Sequence, residues 1–423
     1  MEAYLFEWLN LLARWAHIIV GIAWIGASFY FVWLDNHLLS PADPQAAQRG
    51  VGGELWAVHG GGFYHAQKYR VAPPQLPAQL HWFYWEAYST WLSGFFLLCV
   101  LYYGAPTLYL IDPAVLALAP WQAIAIGLAT LLGGWLIYDG LCRSPLGRDD
   151  RALAIVLAAL LCGAAWGLCA VFSGRGAYIH FGALLGTMMV ANVFFVIIPG
   201  QRRSVAAMRA GREPDPRDGL RGKQRSVHNT YFTLPVLFTM ISNHYASTYG
   251  SSHKVIALIG LALAGALIRA WFVLRHKAHE RGGRTPLWPA LLGIAALVVM
   301  IIVLRPLPPP AATTGAARAS PVPTAAEGDA ATTVVADAAS VQAIVAQRCA
   351  GCHAQHPTFA GFVAPPKGVM LETPEHLHAH LDAVRAQLQS RAMPLGNVTQ
   401  MTDAERQTML DWIAAQHPRG AAP

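Results

Sequence analysis

Apolar residues in this chain gather into eight runs, near 10–34, 82–104, 120–138, 152–172, 178–199, 229–246, 254–274 and 287–305. Each approaches the roughly 20 residues that a helix needs to cross the hydrocarbon core of a bilayer. The pattern therefore predicts eight spanning helices, the sixth being the weakest because Thr, Ser and Asn interrupt it. Beyond Arg305 the pattern ends. Residues 306–338 are Pro, Ala, Thr and Gly with few apolar anchors and read as a partly extended tether. Short amphipathic segments return after 339. A helix over 339–348 comes first, and Thr373-Pro374-Glu375 starts another, with Thr as the cap and Pro in the first turn. Thr402 and Glu405 form a capping box before a helix whose Met409, Trp412 and Ile413 share one face. The expectation is an all-α protein: an eight-helix transmembrane bundle over 1–305, a linker over 306–338 and a small soluble domain over 339–423.

Composition agrees. Of 423 residues, 55% are hydrophobic and only 13% are charged, whereas soluble domains carry about 25% charged residues. The net charge of +7 does not point to nucleic acid, because the cations sit in alternate loops. Arg49, Lys68 and Arg70 follow the first run, and Arg143, Arg148 and Arg151 the third. Eight Arg and Lys between Arg202 and Arg225 follow the fifth, and Arg275, Lys277, Arg281 and Arg284 the seventh. The other loops hold only Arg175 and Lys254 at their edges. Positive loops stay in the cytoplasm, which places both termini outside.

The soluble segment contains Cys349-Ala350-Gly351-Cys352-His353, a C-x-x-C-H attachment pattern for c-type haem. The thiols of Cys349 and Cys352 would bond the vinyl groups and His353 would take one axial position on the iron. A bare C-x-x-C also serves redox disulfides and half zinc sites. The adjacent His, and the lack of a second Cys pair nearby, favour haem. Met393, followed by Pro394, lies forty residues on, in a loop between helices where a small class I-like cytochrome c keeps its second ligand; Met370 and Met401 are its rivals. Haem c is attached outside the cytoplasmic membrane in bacteria, the side on which the charge pattern places this domain.

Ionisable residues inside a bilayer are costly and functional by default. His17, His180, His244 and His253 fall near one depth at the outer side. His17, His180 and His244 are candidate iron ligands of a haem b held by a pair of imidazoles; the plainer reading of each is a hydrogen-bonded or helix-end residue. The inner side carries His59-Gly-Gly-Gly-Phe-Tyr-His65-Ala-Gln-Lys68-Tyr-Arg70, read as a glycine-rich basic loop, and then Trp82, Trp85 and Glu86, with Asn229 at the same level. An aromatic interfacial belt explains the Trp and Tyr residues. It leaves Glu86 and the histidine-bearing basic loop unexplained. A flat anionic substrate would use Lys68 and Arg70 for charge, Trp82 and Trp85 for stacking, and Asn229 for hydrogen bonding. Glu86 and His65 are then the candidate proton acceptors.

Three stretches, His59 to Phe95, Asn192 to Gln201 (NVFFVIIPGQ) and Asn229 to Tyr245 (NTYFTLPVLFTMISNHY), resemble the membrane-bound urate oxidase family, also called urate hydroxylase. The resemblance implies an eight-helix urate domain joined to a cytochrome c. It implies oxidation of urate to 5-hydroxyisourate without peroxide, with electrons passing to haem c and on to a respiratory acceptor such as a soluble cytochrome c or terminal oxidase. The location implied is the bacterial inner membrane, with the cytochrome in the periplasm. More loosely, the first run (AHIIVGIAWIGASFYF) is similar to the first helix of the membrane protoporphyrinogen oxidases, where a histidine binds haem. The alternative is a membrane electron-transfer cytochrome without a purine substrate, for which the polar loops are partner surfaces.

Overall fold

The computed structural model describes residues 2–280, 283–305 and 337–416, apart from 360, 361, 363 and 364. The tether expected over 306–338 lies almost wholly outside the described residues. The first rod is α1 (Glu2–His37), followed by the short α2 (Pro44–Gln48), β1 (Val51–His59) and β2 (Gly62–Tyr69). Helix α3 (Trp85–Leu97) continues as a π-helix over Leu98–Tyr103, and the single turn α4 (Pro106–Tyr109) caps that end. Then come α5 (Pro120–Arg143) and α6 (Asp150–Val171). Helix α7 (Gly174–Ala191) passes through a second π-helix, Asn192–Ile197, into α8 (Ile198–Arg209). Next are α9 (Pro216–Ser242), the single turn α10 (Ala246–Tyr249), α11 (Lys254–Glu280) and α12 (Trp288–Val303).

Five of these rods are long and apolar enough to cross a membrane: Trp8–His37, Pro120–Arg143, Asp150–Val171, Gly174–Arg209 and Lys254–Arg275. Helices also cover the second, sixth and eighth apolar runs, but Trp288–Val303 is shorter, and α9 begins far earlier than the expected 229–246 because Asp215 caps a polar first half. Successive rods run in opposite directions. Arg175 at the start of α7 donates to Asn243 after α9, and Gln224 in α9 donates to the Gly147 carbonyl beyond α5. The core lies between α5, α6, α7, α9 and α11, with Tyr138, Leu153, Phe172, Tyr178, Leu185 and Leu258 fully buried. Small residues bring helices close: at Gly182 of α7 the Thr239 side chain of α9 leaves no room for a β-carbon.

The all-α expectation needs one correction. Residues 51–69 form an antiparallel hairpin in place of the expected basic loop, with His59 paired to Gly62 across Gly60-Gly61. Both turn glycines have positive φ, +58° and +80°. A two-residue hairpin turn requires that conformation, so the glycines read as loop signals close a tight turn instead. The hairpin is tied to the end of α1 by the Leu39–Glu54 bridge and the Lys68–Asp35 ion pair at 2.8 Å.

The C-terminal unit is helical: α13 (Ala338–Arg348), α14 (Ala350–His353), α15 (Pro374–Ala379), α16 (Leu381–Gln389) and α17 (Asp403–Gln416). Its start signals act as read. Thr373 accepts from the His376 N–H, and Thr402 and Glu405 exchange hydrogen bonds of 2.7 and 3.1 Å. Met409, Trp412 and Ile413 enter one core with Val341, Val345 and Leu377.

Within the hairpin, the Glu54 carboxylate accepts from the Ala42 N–H at 2.9 Å, from His65 Nε2 at 3.0 Å and from Gln67 at 3.3 Å. The Ala42 hydrogen bond, with those of Gln67 and His65, holds its pKa below the ordinary carboxylate value. A depressed folded pKa means that the stabilisation is complete above the unfolded value and is lost as pH falls through the folded one. Limited proteolysis of the 39–70 segment should therefore be slow and unchanged between pH 7 and 5, and should accelerate in strong acid. Glu54→Gln should show fast cleavage at every pH.

Candidate functional site

A cleft of about 480 Å³ opens at the hairpin end of the bundle, lined by Leu80, His81, Trp82, Ile197, Gln201, Ser204, Val205, Asp218, Gly219, Gly222, Lys223 and Ser226. Three chain segments build it: the stretch before α3, the start of α8 and the polar first half of α9. Asp218 is held in its wall by Arg203 through hydrogen bonds of 2.6 and 2.9 Å. Arg203 keeps this carboxyl below the usual carboxylate range. Lys223 makes no ion pair among the described residues, which leaves one cation facing the cleft beside an indole, an imidazole, an amide and two hydroxyls.

Beside the cleft, next to Ser226 in sequence, lies a buried polar network. The Arg225 guanidinium, 3% exposed, pairs with Asp139 at 2.7 Å, donates to Asn192 Oδ1 at 3.3 Å and sits 4.9 Å above the Tyr138 ring. Asn192, fully buried, donates to the Tyr138 hydroxyl at 3.0 Å and to Asn229 Oδ1 at 2.9 Å, and Asn229 donates to the Met189 carbonyl. The Tyr138 hydroxyl is also hydrogen-bonded with His228 Nδ1 at 2.7 Å. Asn192 opens the second π-helix. An extra residue in the turn re-aims the side chains around it, and such segments recur at functional sites. Sequence reasoning reached Asn229 but missed Asp139, one position beyond the expected third run, and Arg225, counted only as a loop charge.

The other inner-side candidates divide. Trp82 lines the cleft and, with Ile197, also packs on the cluster around Ala87, the residue after Glu86. Glu86 itself lies in the first turn of α3, and its Oε2 is buried with no hydrogen-bond partner. Trp85 points outward, 63% exposed. His65 stacks on Trp56 with ring centroids 4.1 Å apart and bonds Glu54, and Lys68 pairs with Asp35. Arg70 is exposed at the end of the hairpin, its backbone N–H on the Gly50 carbonyl. Those three serve the hairpin and do not line the cleft.

The histidines at the opposite end each have their own surroundings. His17 Nδ1 bonds Ser93 Oγ at 2.9 Å, and the ring lies against α3 so closely that a β-carbon at Gly94 would be 2.9 Å from Cε1 and 3.5 Å from Nε2. His180 donates from Nδ1 to the Gly176 carbonyl, so its Nε2 accepts from the Tyr103 hydroxyl at 3.1 Å; this edge abuts Gly127 of α5. His244 is exposed beyond α9, and His253 Nδ1 is within 3.2 Å of Ser252 Oγ. Also at this end are Tyr102 and Arg175, both donating to Asn243 Oδ1 at 3.1 and 3.0 Å, with Arg175 5.0 Å above the Tyr109 ring.

The C-terminal unit fits haem c. Cys349 and Cys352 are free thiols one helical turn apart. His353 donates from Nδ1 to the Val369 carbonyl at 2.8 Å, which fixes the tautomer that leaves the Nε2 lone pair for iron. Arg406 holds the Met393 loop by donating to the carbonyls of Met393 at 2.8 Å and Leu388 at 3.1 Å. Of the rivals, Met401 is 4% exposed within the apolar core.

The fold and these sites define a helical protein able to span a membrane, with a polar cleft at one end and a C-x-x-C-H unit beyond the other. The chain belongs to the family described as Urate oxidase N-terminal, whose model matches residues 3–305. No curated protein and no solved structure matches.

Two outcomes follow from this geometry. Removing one partner of a buried ion pair strands the other charge, which costs about 3–5 kcal/mol. Asp139→Asn should lower the thermal stability of the membrane bundle accordingly, while an exposed control such as Asp43→Asn should not. On the expectation that Met393 ligates a haem c, Met393→Ala should lower the haem potential, because thioether ligation raises it, and covalent attachment through Cys349 and Cys352 should persist in a haem-stained gel.

Proposed function

We propose that this chain oxidises urate to 5-hydroxyisourate and delivers the electrons to its own covalent haem c, from which they pass to the respiratory chain. The observation that carries the reading is the family match over 3–305, joined in one chain to a C-x-x-C-H unit in which His353 Nδ1 bonds the Val369 carbonyl and Arg406 holds the Met393 carbonyl. The same reading takes the bundle as eight crossings of the bacterial inner membrane, with the hairpin and cleft in the cytoplasm and the C-terminal unit in the periplasm, as the loop charges imply.

The reaction balances with water as the oxygen source. Urate and one water give 5-hydroxyisourate, two protons and two electrons, so dioxygen is not consumed and peroxide is not formed. In the cleft, the Trp82 indole offers a face to the flat purine, Lys223 matches the urate anion, and Gln201 and Ser226 offer hydrogen-bonding groups for its carbonyl and N–H edges. Glu86, whose Oε2 is buried without a partner next to the cluster that Trp82 and Ile197 share, is the proton acceptor for a substrate nitrogen or the attacking water. When bound, haem c supplies a one-electron acceptor, so the two electrons leave in two steps.

A second reading puts urate at the opposite end, beside Arg175. It is favoured by the C-terminal unit packing against α4, so that electrons would not have to cross a bundle about 30 Å thick.

Purified Glu86→Gln should keep its haem c and its reduction by dithionite but lose urate-dependent haem reduction by about 10²–10⁴-fold, the loss typical of a missing general base. Trp82→Ala should raise KM for urate. Near-normal urate oxidation in both variants, together with a loss in Arg175→Ala, would move the site to the second location. Lack of urate-dependent haem reduction in the wild type would leave a membrane electron-transfer cytochrome as the function.

A further inference from the structure

We propose that the bundle carries a built seat for its own cytochrome unit, made by 106–112 and 246–250, and that electrons enter haem c through the Met393 loop lodged in that seat. The proposal rests on reading the bundle as the electron source.

Two backbone approaches, one glycine from each side, define the seat. The turn Leu395–Asn397, directly after Met393-Pro394, packs against α4. A β-carbon at Gly396 would come within 2.8 Å of the Leu108 carbonyl oxygen and 3.2 Å of that of Ile111. Gly396 also has φ +57°, a conformation glycine adopts without cost. In return, Gly250 at the end of α10 lies so close to the Ser390 carbonyl that there is no space for any side chain. The cap segment is well packed, with Leu108, Leu110 and Ile111 at 7%, 0% and 4% exposure. Arg406, which grips the Met393 carbonyl, also feels the Asp112 carboxylate of the bundle.

Aromatic rings continue from the seat into the bundle. Tyr109 of α4 lies 5.9 Å from Tyr102, centroid to centroid, and Tyr102 lies 6.2 Å from His180. Haem c, held through Cys349, Cys352 and His353, would supply a one-electron acceptor, so the two electrons of each turnover would leave the bundle singly by this face. The first electron would pass on to the respiratory acceptor before the second arrives.

The test uses the full chain with a protease site inserted within 306–336. After cleavage in isolated membranes, the haem-stained C-terminal fragment should stay with the membrane fraction in the wild type and be released in Gly250→Leu, which alters the bundle half alone. Gly396→Val, altering the other half, should release it as well, with the haem spectrum reporting that the unit is intact and size-exclusion chromatography that the bundle is. In the uncut protein both variants should slow urate-driven haem reduction at least tenfold and leave dithionite reduction unchanged. Release of the wild-type fragment on cleavage, retention of both variant fragments, or unslowed urate-driven reduction in the variants overturns the proposal. If urate fails to reduce the haem in the wild type, the urate reading falls, while retention and release still decide whether the seat exists.

Discussion

Burying the charge of Arg225 is the constraint around which the bundle is arranged. A guanidinium at 3% exposure is tolerable only if a counter-charge and acceptors meet it, and each partner comes from a different rod. Asp139 arrives on α5, Asn192 on the π-helix after α7, and Arg225 itself on α9. Aligning them sets how the three helices stand relative to one another. The π-helix is the local consequence: it aims Asn192 at Tyr138, Asn229 and Arg225 together. The cleft is a further consequence, because Ser226 and Lys223 of its wall lie on the same stretch of α9, Ile197 ends the π-helix and Gln201 lies on its continuation, α8.

The two π-helices mark opposite ends of the bundle. Asn192–Ile197 serves the network beside the cleft, whereas Leu98–Tyr103 presents Tyr102 to Asn243 and Tyr103 to His180. The histidines at the second end are committed to hydroxyls and to glycines of neighbouring helices.

Much was legible in the chain before any fold was seen. The apolar runs located the rods, because a bilayer leaves an isolated segment no way to satisfy its backbone polar groups except as a helix. Local signals worked wherever the physics was local: the Thr373 cap, the Thr402–Glu405 box, and the C-x-x-C-H turn with its adjacent imidazole. Trp82 and Asn229 were picked out for their chemistry, and both lie at or beside the cleft.

What only tertiary structure decided was the partnership of each polar group. His65, Lys68 and Arg70 looked like a substrate cradle in a basic loop, but hairpin pairing assigned His65 to Glu54 and Lys68 to Asp35. Asp139 and Arg225, 86 positions apart in sequence, carry no sign in the sequence that they meet. Nor does the spacing of Gly250 and Gly396 from Ser390 and Leu108 announce that two backbones touch there. Periodicity and capping are properties of neighbours along the chain, so the sequence by itself located most of the helices and the C-x-x-C-H turn, but not the 51–69 hairpin. Charge pairing, cleft walls and docking depend on which distant segments share space, and that was decided by the packing of the rods.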